Sequence, residues 1–237
     1  MNSLAGPNGP ALSTISIVIP ALNEAEELPE TLRRARAIPE ICEVIVVDGG
    51  SSDNTRDLAA ASGCTVITAP AGRGGQLRLG ASQARGDIVL LLHADTWLPP
   101  EAGQAALECC RQPGVIGGGF WKVFREPSWV MRGARARCWL RLRLGGRILG
   151  DQAMFIPREV LERIGGVPAV PLMEDFELCR RLRTLGRLLL ANATVVTSAR
   201  RFRERGVLRT YWRMWTVTLR YQLGATPEEL RRLYERK

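Results

Sequence analysis

A single histidine, His93, serves the whole chain of 237 residues. That scarcity excludes chemistry needing a second imidazole and any His-rich zinc site. The six cysteines, at 42, 64, 109, 110, 138 and 179, contain no Cys-x-x-Cys pair. Adjacent Cys109 and Cys110 suit neither a zinc knuckle nor a disulfide framework, so reduced and mostly buried thiols are expected. No apolar run approaches the roughly 20 residues that span a bilayer. Residues 1–13 carry no charged side chain and are rich in glycine and proline. They lack the basic start and apolar core of a signal peptide, which reads as a short flexible leader on a cytoplasmic protein. No Gly-x-Gly-x-x-Gly follows the first apolar run, so the dinucleotide fingerprint is absent. A glycine-rich triphosphate loop closed by a lysine is missing too, which disfavours a nucleotidyltransferase.

What is present is an ordinary globular composition, 46% hydrophobic and 24% charged, with a net charge of +9. Such a charge invites nucleic acid, an anionic membrane or a phosphorylated substrate. It is unevenly placed. Between Glu126 and Asp151 there is no acid, but Arg132, Arg135, Arg137, Arg141, Arg143 and Arg147 occur. A second basic cluster runs from Arg200 to Arg213, broken only by Glu204.

Residues 87–100 organise the reading. The aliphatic run 88–92 predicts a strand buried on both faces. It ends at His93, Ala94 and Asp95, and Pro99 and Pro100 stop the strand and suit entry to a helix. Upstream, 14–19 predicts a strand ending at Pro20, then a helix reaching about Ala37. A strand at 43–47 ends in Asp48, a turn follows at 49–53, and a helix closes at Gly63. A third strand covers 65–68, and 72–76 reads as a glycine-rich loop leading into a helix that ends near Gly86. This alternation predicts an α/β fold with a mostly parallel central sheet flanked by helices.

The second half is less regular. Residues 115–124 predict a strand with a bulge at Gly117, Gly118 and Gly119. A basic helix is predicted over 129–144, a turn and short strand over 150–156, and a helix from Glu174 that ends at Gly186. Strands are expected at 187–192 and 194–197, and a long helix at 207–223. Thr226, Pro227 and Glu229 carry the signature of a final capped helix. The expected organisation is a single domain over 14–237. Its nucleotide-binding half is 14–98, its acceptor half 99–203, and its C-terminal part, 204–237, is basic and helical.

Glu24, Asp48 and Asp95 fall at or just beyond the ends of predicted strands. In a parallel sheet those ends share one edge, where open α/β sheets bind ligands. An acidic crevice suits a nucleotide if the acids bind base and ribose hydroxyls and hold a divalent cation over the phosphates. Each acid also has a plainer reading, as the cap of a turn. His93, two residues before Asp95, points the same way from an extended segment and would touch metal or diphosphate. Glu174 and Asp175 open a helix, where the dipole favours acids; in a cleft, one carboxylate would instead act as a general base. A non-catalytic basic module binding nucleic acid explains the charge but not the converging acids, so no nucleic-acid partner is expected.

Four segments, taken in order, resemble the family 2 glycosyltransferases of the GT-A fold: Ile17-Val-Ile-Pro20-Ala-Leu-Asn23-Glu24; Val46-Val-Asp48-Gly-Gly-Ser51-Ser-Asp53-Asn-Thr55; Gly86-Asp87 with His93-Ala-Asp95; and Met173-Glu174-Asp175. Gly72-Arg73-x-x-Gln76, Leu92-His-Ala-Asp-Thr96, Gly150-Asp-Gln152 and Ser198-Ala-Arg-Arg201 further resemble a bacterial subfamily labelled arsenosugar-biosynthesis or carotenoid-acid glycosyltransferases. The resemblance implies that Pro20, Asn23 and Glu24 line a nucleotide pocket. Asp48 would hold base or ribose, Ser51 and Asp53 would shape that turn, and Arg73 would lie near the nucleotide. Asp95 would bind Mg²⁺ or Mn²⁺, and Asp175, beside Glu174, would be the base of an inverting transfer from a UDP- or GDP-sugar. His93 departs from the family pattern, which has Asp there. Gly150, Asp151 and Gln152 would face donor sugar or acceptor, and Arg200 and Arg201 the diphosphate or a lid. The acceptor would be a hydroxyl or carboxyl of a small molecule or lipid.

Two basic segments mix Trp with Arg, around Trp129, Trp139, Arg141 and Arg143, and around Tyr211, Trp212, Arg213, Trp215 and Arg220. That composition suits the headgroup region of an anionic membrane at its inner face, and a lipid-linked acceptor. The alternative is a solvated basic face with the indoles in the core or in a homodimer interface.

Overall fold

The computed structural model describes residues 12–125 and 129–235. The first half alternates as expected: β1 (Ile15–Ala21), α1 (Leu28–Arg36), β2 (Ile41–Asp48), α2 (Thr55–Ala61), β3 (Thr65–Thr68), α3 (Arg73–Gln83) and β4 (Ile88–Leu91). The second half adds β5 (Thr96–Trp97), α4 (Ala102–Cys110), β6 (Val115–Phe124), α5 (Ala134–Gly145), β7 (Met154–Pro157), α6 (Arg158–Arg163), α7 (Glu174–Leu182) and β8 (Arg187–Thr197). Three helices follow: α8 (Arg200–Arg205), α9 (Val207–Gln222) and α10 (Pro227–Glu235). The predicted capped helix is α10. Thr226 Oγ1 accepts from the Glu229 amide at 3.3 Å, and Glu229 accepts from the Thr226 amide at 2.9 Å, a reciprocal capping box.

Both halves share one eight-stranded sheet, ordered β3-β2-β1-β4-β7-β6-β8-β5. It is mixed, with four of its seven pairings parallel, and so not wholly parallel. β1, β2, β3 and β4 pair in parallel, as do β6 and β8. β7 is antiparallel to both β4 and β6, and β5 to β8. The chain reaches β7 from β6 through α5, yet β7 enters the sheet antiparallel to both of its neighbours. The consequence for function is geometric. Reversing at β7 puts the start of β7 and the ends of β1, β2, β4, β6 and β8 on one sheet edge.

Ile15, Ile17 and Ile19 point to one face, with Leu28, Leu32, Ala102 and Ala106. Val18, Ile45 and Val47 point to the other, with Leu77, Leu178 and Leu182. Helices therefore cover both faces, which is why these strands read as continuous apolar runs. β1 continues through Pro20, which pairs with Val47 where β4 no longer flanks it. A missing N–H is tolerated where a strand has a single neighbour. Residues 72–76 are not a loop, since α3 begins at Arg73. Gly74 is required there: a Cβ would lie 2.4 Å from the Val170 carbonyl oxygen and 2.8 Å from that of Pro168. The two strands expected after Gly186 are one, β8, and its partner β6 shifts register near Gly117, as the glycine run suggested.

Most of the expected leader lies outside the described residues, as does Glu126. Residues 13–14 are tied down, with the Ser13 and Thr14 amides donating to Asp87 Oδ2 at 2.9 and 3.0 Å.

Candidate active site

The acids converge on the edge that the topology creates. The turn after β2 is built by Asp48, which has no exposed surface. Its carboxylate accepts from the Gly50 amide at 3.0 Å, the Ser51 amide at 3.1 Å and Ser51 Oγ at 2.5 Å. With these partners and no exposed surface, Asp48 as placed shapes the turn that faces the site. That turn locks onto the loop after β1. Asn23 accepts from the Ser52 amide at 2.8 Å, and its own amide donates to Ser51 Oγ at 2.9 Å. Asp53 accepts from the Ala25 amide at 3.1 Å and from Thr55 Oγ1 at 2.5 Å, and the Glu24 amide donates to that same hydroxyl at 2.8 Å. Buried Gln76, reaching from α3, donates to the carbonyls of Ala21 and Val47 at 2.9 and 2.7 Å, joining the two strand ends. Pro20 is half-buried beside them.

Beyond β4, His93 Nε2 lies 3.1 Å from an Arg73 terminal nitrogen. A guanidinium only donates, so Nε2 accepts and the ring proton sits on Nδ1. Burial first, and Arg73 second, hold the His93 pKa down to about 3. The neutral ring thus spends its Nε2 lone pair on Arg73, which removes that nitrogen from the expected role as a metal ligand. Arg73 also forms an ion pair with Glu174, which is 3% exposed. Glu174 is therefore locked rather than free for chemistry. Asp175 accepts from the Gly150 amide at 3.0 Å and from the Phe176 amide at 2.9 Å. Burial, then the charge of Glu174, push its pKa up to about 6, against the pull of Arg73 and the Gly150 amide. Gly150 must lack a side chain, since a Cβ would stand 2.7 Å from His93 Nε2. His93, Gly150, Glu174 and Asp175 line one cavity, with Leu77, Leu91 and Leu178 as its apolar walls.

The neighbouring turn belongs to the same edge. Asp151 pairs with Lys122 at 2.5 Å, and its Oδ1 is buried without a hydrogen bond. Burial would raise its pKa, but Lys122 and Arg141 outweigh that and hold it at about 2. Gln152, fully buried, accepts from Arg141 at 2.6 Å and donates to the Phe120 carbonyl at 3.1 Å. Arg141 thus points inward, unlike the membrane-facing role expected of it. Glu24 pairs with Arg200 at 2.7 Å, and exposed Arg201 donates to the Tyr234 hydroxyl at 3.2 Å. Lys122 was not singled out in the sequence; the available signal is that Lys122 and Lys237 are its only lysines among many arginines. Glu27, Arg125 and Trp97 were missed as well. Arg125 pairs with Glu27 at 2.6 Å and lies 3.9 Å from the centre of the Trp97 ring.

Asp95 stands apart from these pairs. Its carboxylate is half-buried and takes one hydrogen bond among the described residues, from Thr96 Oγ1 at 3.4 Å. Burial raises its pKa, Arg201 and Arg200 lower it, and Glu27 and Asp151 raise it further. A carboxylate left this short of partners suits a cation. No group of three His, Cys, Asp or Glu side chains among the described residues converges to hold a metal.

Backbone strain marks the same place. The positive-φ non-glycine residues among those described are Asn23 (φ 55°), Ala153 (φ 49°) and Met173 (φ 65°). Each costs on the order of 1 kcal/mol. They sit in the loop after β1, just after Gln152, and just before Glu174. Strain concentrated at one edge is the pattern of functional sites.

A mixed α/β sheet covered by helices on both faces, with acids and left-handed residues gathered on one edge, is an arrangement of the GT-A type. The family model for glycosyl transferase family 2 matches residues 16–165, more than half of the chain, and the chain belongs to that family. A curated relative from Serratia proteamaculans (strain 568), undecaprenyl-phosphate 4-deoxy-4-formamido-L-arabinose transferase, is 33% identical over 158 residues, covering 61% of this chain and 48% of its own. The protein of that name from Pseudomonas paraeruginosa is 34% identical over 130 residues, 50% of this chain and 38% of its own. The chain thus spans about half or less of these relatives. Among solved structures, the mannosyltransferase PcManGT from Pyrobaculum calidifontis, in complex with GDP-Man and Mn²⁺, superposes with a TM-score of 0.66. It is 20% identical, over 93% of this chain and 67% of the other. S. aureus TarS 1-349 in complex with UDP-GlcNAc gives a TM-score of 0.64 at 15% identity, over 78% of this chain and 58% of the other. These likenesses establish the GT-A fold.

Proposed function

We propose that the chain transfers a sugar from a nucleoside-diphosphate sugar to an acceptor carried on a lipid, with inversion at the anomeric carbon. The observation that carries this reading is Asp175: a buried carboxylate with a pKa raised to about 6, held over the cavity beside Gly150 and His93. A base poised near neutrality suits removal of a proton from a hydroxyl. Asp175 takes that proton, the acceptor oxygen bonds to the anomeric carbon from the face opposite the diphosphate, and the bond to the diphosphate oxygen breaks. Glu174 and Arg73 are positioning residues, and His93 orients Arg73. The nucleotide lies over the turn built by Asp48, Ser51 and Asp53 and the loop of Pro20, Asn23 and Glu24. Gly150 and Asp151 face the donor sugar and acceptor, buried Gln152 braces their turn, and Arg200 and Arg201 flank the diphosphate.

Asp95 would hold a bound Mg²⁺ or Mn²⁺, which stabilises charge on a departing diphosphate. The names of the relatives support an acceptor carried on a lipid, and those of the neighbours a UDP- or GDP-linked donor. The family match also favours sugar transfer over the nucleotidyltransferase alternative. Thermal-shift measurements with UDP- and GDP-sugars, with and without Mn²⁺, test the reading. Stabilisation by one donor that grows with Mn²⁺, and loses its metal dependence in Asp95→Asn, is expected. No shift with any nucleotide sugar refutes it.

A further inference from the structure

α9 is amphipathic with its apolar residues on two opposite faces, and the protein covers only one. Inward, Tyr211 packs on Phe202 with ring centres 5.1 Å apart, Val217 is buried, and Tyr221 meets Phe176 edge-on at 5.5 Å. Outward, Leu208, Trp212, Trp215, Leu219 and Leu223 are 75%, 66%, 55%, 38% and 77% exposed. Steps of four, three, four and four residues keep these side chains within an arc of roughly 80° at 100° per residue. The rings of Trp212 and Trp215 lie tilted against each other with centres 5.2 Å apart. Exposed Arg209 and Arg220 lie on one flank of the stripe. α5, joined to α9 by the 3.0 Å hydrogen bond from Arg137 to the Tyr211 hydroxyl, adds exposed Trp139 and Leu144 beside exposed Arg143.

From these contacts we infer that the outer face of α9, continued by α5, docks on the surface of an anionic phospholipid bilayer. Charge complementarity chooses this occupant. No Asp or Glu occurs in α5 or α9, nor anywhere in residues 205–227. A second copy of the chain would set arginine against arginine with no acid between them, whereas lipid phosphates supply the missing charge. Indole and leucine side chains seat at the headgroup boundary while the guanidinium groups stay among the phosphates. Among the described residues no helix is long and apolar enough to cross a membrane, so the contact is one of lying on the surface. The inner face of α9 packs, through Tyr221 and Phe176, on the helix that opens with Glu174 and Asp175. Docking would therefore hold the candidate active site near the bilayer.

The test is co-sedimentation of the full chain with phosphatidylcholine vesicles, with and without one third phosphatidylglycerol, at low salt. Binding to the anionic vesicles only is expected. Trp212→Ser with Trp215→Ser should weaken it roughly tenfold or more, with the circular dichroism spectrum and melting temperature unchanged. Arg209→Glu with Arg220→Glu should weaken it comparably. Two results overturn the inference: a wild-type chain that leaves anionic vesicles in the supernatant, or a tryptophan variant that binds as well as wild type. Light scattering showing a wild-type dimer that the tryptophan variant converts to monomer would assign the face to a second copy instead. Vesicle binding is read without turnover, so a chain that binds vesicles but no nucleotide sugar would refute the transfer reaction and leave docking intact.

Discussion

Replacing Asp175 by asparagine separates two consequences of burying this carboxylate. In the folded chain its pKa is raised from 3.8 to about 6, by burial first and the charge of Glu174 second. At pH 5 only about a tenth of such a group is ionised, so a reaction that needs it as base should run at about a tenth of its plateau rate. The wild-type pH profile of kcat/KM is expected to rise through about pH 6 with a slope of one. Asp175→Asn should lower the plateau by roughly 10²–10⁴ and change nucleotide affinity little, because Asp175 touches Gly150 and its own helix rather than the turns at Asp48 and Asn23.

Stability should move in the opposite direction. A carboxyl whose pKa is raised by folding binds its proton more tightly in the folded chain than in the unfolded one. Its favourable contribution is complete at low pH and is lost as pH climbs from about 4 through 6. Two units at about 1.4 kcal/mol each make that loss about 3 kcal/mol. Asparagine does not titrate. It also keeps one of the two amide hydrogen bonds and forfeits the other, a fixed cost of about 1 kcal/mol. Relative to wild type, the variant should gain about 3 kcal/mol between pH 4 and pH 7.5 in urea unfolding, ending as the more stable protein. Turnover within tenfold of wild type would remove Asp175 as base. A phosphate-monoester acceptor would explain that result, because it arrives with its nucleophilic oxygen already ionised. A stability difference flat with pH would refute the raised pKa itself.

How much of this was legible beforehand follows from how local each signal is. Strands β1, β2 and β4 were readable because burial on both faces leaves apolar runs, and their polar terminators fixed one edge of the sheet; β3, an exposed edge strand, was readable from its β-branched residues. Asp95 and Asp175 were singled out because each stands beside a conspicuous boundary. The partition of labour among the acids was not. Whether Asp48 faces a ligand or its own turn depends on where the Gly50 and Ser51 amides point, and no spacing in the sequence records that. His93 was expected at a metal because it neighbours Asp95, but Arg73, twenty positions earlier and on another element, takes its lone pair. The Lys122–Asp151 pair joins the end of β6 to the turn before β7, and only the reversal at β7 brings them together. The three strained residues are chemically ordinary, since neither Ala153 nor Met173 advertises a left-handed backbone. The tryptophans of α9 were visible as composition; that they point outward required the packing of Tyr211, Val217 and Tyr221 on the other side.

Further substitutions probe the scaffold of the site. Arg73→Met strands Glu174 as a buried unpaired charge, which should cost about 3–5 kcal/mol. Adding Glu174→Gln should return more than half of that, and a double-mutant cycle by urea unfolding checks the coupling, with additive effects refuting the pair. Gly150→Ala drives a Cβ to 2.7 Å from His93 Nε2. It is expected to lower kcat through displacement of Asp175 while leaving KM for the donor within about twofold, and an unchanged kcat would refute the contact. The sharpest contrast lies in adjacent residues of α3. At Gly74 a Cβ would meet the backbone carbonyls of Val170 and Pro168, atoms that cannot rotate away, so Gly74→Ala should separate α3 from that segment and destabilise by about 1–3 kcal/mol. At Gly75 nothing lies within 4 Å, and the residue is exposed in the first turn. Gly75→Ala should be neutral, or stabilise by up to about 1 kcal/mol through helix propensity. Equal melting temperatures for the two variants would mean that the glycine run serves flexibility. Opposite shifts would mean that it serves the close approach of α3 to residues 168–170, and so the placement of Arg73 over the site.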